Sequence, residues 1–293
     1  MAVTGLILAG GRGTRMGEAD KGLVELFGQP MVAHVAARLR PQVDRLLISA
    51  NRNPQAYAAH GTVVSDDPAD GNAAGPLAGV AAALAAARSS WVVTVPCDAP
   101  FFPIDLVVRL GAALGLGADP AAWAAARSAT WPVARPASGR LSKSAPGPKS
   151  GPAAGLASGP VSAPTTGPTT APTTAPTTGP TTGPTTGPIF AAASNSGLVT
   201  PFAVTPGTAL GQPPRLAVAR AGARRQPVCM LLATDLLDDL RAYLRGGGRR
   251  VAAWQNEAGV VEVDFPDESG FLNVNTPADL AAAAARMAAY TSQ

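Results

Sequence analysis

Apolar residues in the first third of the chain fall into short continuous runs, at residues 3–9, 45–50, 62–65 and 91–95. Runs of that length, bounded by Gly, Asn, Asp or Pro, predict strands covered on both faces. Between them lie segments with helical character: residues 31–39 after Pro30, an alanine-rich stretch reaching Arg88, and residues 104–114. Strand and helix alternating in this way predict a single Rossmann-like three-layer α/β/α domain with a mostly parallel sheet. Trp91-Val92-Val93-Thr94-Val95 is the clearest candidate for its central strand. Further on, residues 228–232 read as a strand and 236–244 as an amphipathic helix carrying Asp238, Asp239 and Arg241. An edge-type strand at 260–263 follows, and Thr276 and Pro277 are the expected cap and first residue of a last helix.

Composition alters this picture in the middle of the chain. The 293 residues suffice for one large domain or two small ones, yet 32 Gly and 29 Pro are more than a compact domain needs. They concentrate from Pro132 onward, and residues 165–188 are six consecutive Thr-Thr-Gly/Ala-Pro tetrads. Proline at every fourth position forbids helix and central strand, and threonine and glycine offer little to bury. The expectation is an extended, disordered insertion, passive rather than a docking spacer, lying away from the active site.

Charge and cysteine content exclude several classes. A net charge of +4 with 14% charged residues, spread thinly, does not indicate a nucleic-acid surface. Cys97 and Cys229 alone make neither a disulfide framework nor a metal cluster. The opening Met1-Ala2-Val3-Thr4 lacks a basic leader, and Arg12 and Arg15 come too soon for a membrane span, so a cytoplasmic protein is expected.

The candidate chemistry begins where the first strand ends. Gly10, Gly11, Gly13 and Gly17 remove side chains where backbone N–H groups can wrap an anion, and Arg12, Arg15 and Lys21 supply positive charge. Met16 spoils a dinucleotide fingerprint and Glu18 spoils a P-loop, which leaves a nucleoside triphosphate cradle of another type. Asn51 and Asp98 follow the second and the central strand, at the sheet end where ligands bind. A carboxylate opposite a phosphate cradle suits Mg2+; the alternative is that Asp98 caps the next helix, and Asn51 that it serves a turn. Cys97 reads as a buried neighbour rather than a nucleophile.

The ordered segment from Leu8-Ala9-Gly10-Gly11 through Arg15-Met16-Gly17 to Asp20-Lys21-Gly22 resembles the nucleotidyltransferase signature. It is most similar to that of molybdenum cofactor guanylyltransferases. The resemblance covers about residues 3–114 and 215–289 and includes Gly75-Pro76-Leu77-Ala78-Gly79, Asp98 in Pro-Cys-Asp-x-Pro, a Gly-x-Arg-Arg-Val turn ending at Val251, and Asn273-Val274-Asn275. It implies transfer of GMP from GTP to the terminal phosphate of molybdopterin, with pyrophosphate released and Mg2+ as cofactor. GTP would be bound by Leu8, Ala9, Gly10, Gly11, Gly13, Lys21, Asn51, Asp66, Gly75 and Asp98, with Asp66 favoured over Asp67 as the family acid. Arg15, Lys21 and Asp98 would be catalytic, Asp98 the metal ligand, and Arg249, Arg250, Asn273 and Asn275 the acceptor side. Gly11 leans the base towards guanine.

The resemblance also divides the chain into a nucleotide-binding part (1–118), an insertion (119–214, low-complexity at 132–188) and an acceptor-side part of the same domain (215–293). The insertion departs from the family, whose members are usually shorter. Residues 215–220 then become a displaced strand, and Gln226 stands where histidine is common, as a residue of binding or shape. Implied partners are GTP and molybdopterin, with molybdoenzymes, their chaperones or other cofactor-biosynthesis proteins, and neither nucleic acid nor membrane; a monomer is expected. A cytidylyl or sugar-phosphate nucleotidyltransferase, and a non-catalytic nucleotide-binding adaptor, remain alternatives.

Overall fold

In β1 (Val3–Leu8), Leu6 and Ile7 are both fully buried although they face opposite sides of the sheet. This is why the run is continuously apolar instead of alternating. The computed structural model describes residues 2–9, 20–68, 75–117 and 213–291. Gly10, Gly11, Gly13, Arg12 and Arg15 of the expected cradle, and the low-complexity tract, lie outside the described residues.

Beside β1 stand β4 (Arg45–Ser49) and β6 (Trp91–Pro96), both parallel to it, with β5 (Thr62–Val64) parallel to β4. The sheet continues through β8 (Arg224–Ala233), β7 (Leu216–Ala221) and β9 (Val261–Phe265), in the order β5-β4-β1-β6-β8-β7-β9. It is a mixed sheet, because β8 runs antiparallel to both β6 and β7 while β9 is parallel to β7. The reversal comes from a two-residue turn in which Gly222 takes φ of 55°, so β7 and β8 form a hairpin. Pairing of Trp91 with Ala233 joins the two expected parts of the domain in one sheet, on either side of the residues not described.

β8 begins at Arg224, four positions before the expected start at Val228. Its register with β7 jumps from Val218↔Met230 to Ala219↔Gln226, so residues 227–229 bulge. Pro227, which has no N–H to give a ladder, sits in that bulge. Its carbonyl accepts from buried Gln255 Nε2 at 2.8 Å, and the Val228 carbonyl accepts from Thr94 Oγ1.

Helices cover both faces. On one, α1 (Met31–Leu39) and α4 (Leu106–Ala113) pack Val35, Leu39, Leu106 and Leu110 against Ile7, Ile48, Val93 and Leu231. On the other, α3 (Pro76–Ala86), α5 (Leu237–Arg245) and α6 (Val251–Glu257) bring Leu77, Val80, Leu240 and Trp254 against Leu6, Leu47 and Met230. Burying a leucine such as Leu240 stabilises the fold by about 2 kcal/mol. β9 is at the sheet edge, as its sequence predicted. A small hairpin of β2 (Glu25–Leu26) and β3 (Gln29–Pro30) shares a third apolar cluster with α7 (Pro277–Thr291). Thr276 Oγ1 accepts from the Asp279 amide at 3.1 Å, and Asp279 Oδ2 accepts from the amides of Asn275 and Thr276, each at 2.9 Å. That reciprocal cap fixes the chain immediately before α7.

Candidate active site

The carboxyl ends of β4, β1 and β6 finish level with one another. The Ala9 amide donates to Ser49 O at 2.9 Å and the Cys97 amide to Leu8 O at 3.1 Å, which extends the ladder one residue past each strand. Leu8, Ala9, Asn51 and Asp98 therefore come together at the carboxyl end of the sheet's strands. Leu8 is half-buried and Ala9 buried where the glycine-rich segment begins.

Three remote parts of the chain meet at Asp98. Lys21, which opens a 3-10 turn at Lys21–Leu23, places Nζ 3.4 Å from Asp98 Oδ2 and donates a second hydrogen bond to Asn275 Oδ1. The backbone is tied at the same place, since the Val274 amide donates to Asp98 O at 2.7 Å. Residues 272–275 form no strand, although apolar and polar residues alternate there. The alternation still has its physical consequence, because Val274 is buried and both asparagines are turned from the core. Asn275 Nδ2 donates to Asn273 O at 3.4 Å, while exposed Asn273 does not share the contact with Lys21.

The Asp98 side chain is 13% exposed and that of Lys21 20%. Burial pushes the Asp98 carboxyl above the usual carboxylate range, and the Lys21 ammonium pulls against that shift without cancelling it. The pair balances in charge, yet one ammonium does not offset what the carboxylate loses by leaving water. Asp98 does not cap α4, whose N-cap is Asp105. Neighbouring Cys97 has its thiol pushed up by burial and by the Asp98 charge, so it is an inert core residue.

A second pair lies past β4. Asn51 Nδ2 donates to Asp66 Oδ2 at 2.7 Å, and the Asp66 amide donates back to Asn51 Oδ1 at 3.0 Å. Asp67 instead meets Arg241 Nη2 at 3.5 Å. Gly75 is the N-cap of α3, and Gly79 in the first turns of that helix lets it lie on β1 and β4. Among the expected acceptor-side residues, exposed Arg249 donates to Leu244 O at 2.9 Å and Gly248 O at 2.6 Å, closing the C-terminus of the preceding helix α5. Exposed Arg250 is the N-cap of α6. Half-buried Gln226 lies in β8 beside the bulge, with Nε2 3.5 Å from Arg224 O. Sequence reasoning missed Asn53 and Tyr57, which hold the Asp20 carboxylate next to Lys21. The glycine after Lys21 was the available signal, since Gly22 lies against the Tyr57 ring.

No group of three or more His, Cys, Asp or Glu side chains that could hold a metal occurs among the described residues. One carboxylate with an amide oxygen close by still fits Mg2+, which retains water and takes most of its remaining ligands from substrate phosphates.

Comparison with known proteins identifies the family. A family model described as a MobA-like NTP transferase domain matches residues 5–259. The chain belongs to this family. Two curated relatives, both named molybdenum cofactor guanylyltransferase, are similar to it over nearly their whole length. The protein from Cupriavidus taiwanensis is 33% identical over 285 residues, and that from Burkholderia ambifaria 34% over 290, each covering 97% of both chains. These MobA-like relatives thus have nearly this chain's length, so its length is no departure from them. Solved structures share the fold at low identity. Molybdopterin-guanine dinucleotide biosynthesis protein A from Archaeoglobus fulgidus superposes with a TM-score of 0.54 at 15% identity, covering 98% of this chain and 99% of that one. A nucleotidyl transferase from Methanothermobacter thermautotroptrophicus gives 0.52 at 14% identity, covering 98% of each chain.

Proposed function

We propose that this protein transfers GMP from GTP to the terminal phosphate of molybdopterin, forming the guanine dinucleotide cofactor and pyrophosphate. The observation that carries this reading is the convergence of Lys21, Asp98 and Asn275 at the end of the central strands. A pure binding module has no use for a buried carboxylate beside the phosphate-side lysine, whereas phosphoryl transfer depends on such charge. The fold is read as Rossmann-like and mostly parallel, with β8 the reversed strand and residues 119–214 an insertion between two parts of one domain.

An oxygen of the molybdopterin phosphate, already anionic, attacks the α-phosphorus of GTP. The bond from that phosphorus to the bridging oxygen breaks, and pyrophosphate leaves with the electron pair. No covalent enzyme intermediate is needed, so catalysis is positioning and charge stabilisation. Asp98 would hold Mg2+, which when bound would supply charge neutralisation on the triphosphate. Lys21 stabilises the negative charge that builds on the transferred and leaving phosphates, and Arg15 with the backbone of residues 10–13 holds the triphosphate. Asn51, Asp66 and Gly75 serve the nucleoside, and Gly11 leaves room for guanine. Asn273 and Asn275 orient the acceptor phosphate, with Arg249 and Arg250 as an exposed cationic turn for its anionic groups. No helix among the described residues is long and apolar enough to cross a membrane, and the protein is read as a cytoplasmic monomer working with molybdoenzymes or their partners.

The test is incubation of the purified protein with molybdopterin, Mg2+ and either GTP or CTP, following pyrophosphate and dinucleotide. Product with GTP alone supports the reading. Product with CTP alone transfers the assignment to a cytidylyl enzyme, and GTP binding without product returns it to an adaptor.

A further inference from the structure

The residues on both sides of Lys21 are held by one tyrosine. Tyr57, in α2 (Pro54–Ala58), is fully buried in the same core cluster as Ile7 and Ile48. Its hydroxyl donates to Oδ1 of Asp20, the residue before Lys21. The other carboxylate oxygen accepts from Asn53 Nδ2 at 3.1 Å, and Asn53 takes a left-handed φ of 48° at the entry to α2. On the far side of Lys21, a Cβ added to Gly22 would stand 2.5 Å from the tyrosine hydroxyl oxygen and 2.9 Å from Cε1. Only a glycine lets the backbone rest on the ring at that distance. The turn is closed by the Leu23 amide donating to Asp20 O at 2.9 Å and the Val24 amide to Lys21 O at 3.3 Å.

The two neighbours of Lys21 are thus fixed on a rigid ring, while Lys21 itself reaches the other way to Asp98 and Asn275. Burial, reinforced by the bond to Asp20, raises the Tyr57 hydroxyl above its ordinary range, which keeps it a donor at working pH. Both Asp20 oxygens are engaged by the protein, which distinguishes Asp20 from Asp98, the carboxylate left facing a cation.

We infer that Tyr57 is a positioning residue for the reaction: through Asp20 and Gly22 it sets where the Lys21 ammonium stands relative to the transferred phosphate. The inference rests on the proposed role of Lys21 at that phosphate. A tyrosine that merely fills the core would need no hydroxyl bond to the residue next to the working lysine. Transition-state charge stabilisation falls steeply with small displacements of the charge, so loss of the hydroxyl acts on turnover more than on binding.

The experiment is a double-mutant cycle in the full-length protein with Tyr57→Phe, Lys21→Ala and the pair, reading kcat and KM for GTP. Tyr57→Phe keeps the ring that supports Gly22. It is expected to lower kcat about 10-fold with KM for GTP changed less than about twofold, and to cause no further loss in the Lys21→Ala background. An unchanged kcat, or an equal loss in both backgrounds, overturns the inference. Full turnover in Lys21→Ala overturns it differently, by removing the role assigned to Lys21. If Tyr57→Phe does not fold, Asn53→Gly keeps the left-handed backbone at an exposed position while deleting the second bond to Asp20. A smaller loss of kcat that also vanishes with Lys21→Ala supports the inference, and a loss independent of Lys21 refutes it.

Discussion

Replacing Asp98 by Asn separates stability from activity, because the carboxylate is held against the preference of its surroundings. Its ion pair with Lys21 spans 3.4 Å. At that distance the attraction is about 1 kcal/mol in a water-like medium and about 5 kcal/mol at an effective dielectric of 20. Against it stands the removal of a carboxylate from water, several kcal/mol after relaxation. The direction of the Asp98 shift decides between them: its carboxyl is raised, so burial outweighs the lysine. A raised folded-state value means the folded protein keeps this proton where the unfolded chain has lost it. The stabilising contribution is fully present below the unfolded value near 3.8 and is lost as pH rises through the folded one. Asn is uncharged, as burial of this side chain prefers, and leaves Lys21 its bond to Asn275. Asp98→Asn should therefore be as stable as the parent in urea unfolding, within about 1 kcal/mol, or more stable, while pyrophosphate release falls at least about 100-fold. A loss of more than about 2 kcal/mol would mean that the carboxylate is there to anchor Lys21, and retained turnover would remove it from the chemistry.

Other substitutions test the frame around this site. Gly79→Ala should destabilise by about 1 kcal/mol or more, although alanine favours helix by about 1 kcal/mol, because its Cβ would lie 2.9 Å from Ser49 Cβ and from Leu8 Cδ2; stabilisation in urea melts would refute the close contact of α3. Asn51→Ala breaks both hydrogen bonds to Asp66 and should raise KM for GTP about 10-fold with little change in kcat, as steady-state kinetics would report. Asp279 is held below its ordinary value by the amides of Asn275 and Thr276, a stabilisation present above the unfolded value of 3.8 and lost as pH falls through the folded one. Asp279→Asn should accordingly melt lower than the parent at pH 7, by a gap that narrows as pH falls below 3.8; an unchanged gap throughout the acid range would exclude the cap.

Strand and helix positions were legible because each depends on residues close in sequence: apolar runs at 45–50 and 91–95 are β4 and β6, and Thr276 and Pro277 open α7. The residue types of the site were legible as well, since Asp98, Lys21 and Asn275 all stand in recognisable motifs. The start of β8 was misplaced because a proline-containing bulge disguises the strand on either side of it. The pairing of Asn51 with Asp66 rather than Asp67 depends on how β4 and β5 end side by side, which no local pattern encodes.

Amino-acid order by itself determined the strand–helix alternation, the family signature and the chemical groups available. Tertiary structure alone decided that Lys21 meets Asn275, 254 positions away, and that Tyr57 stands under the turn carrying Lys21. Periodicity reports which face of an element is buried, whereas contact between distant side chains depends on how those faces close over the sheet. That closure places one lysine between a largely desolvated carboxylate and an asparagine.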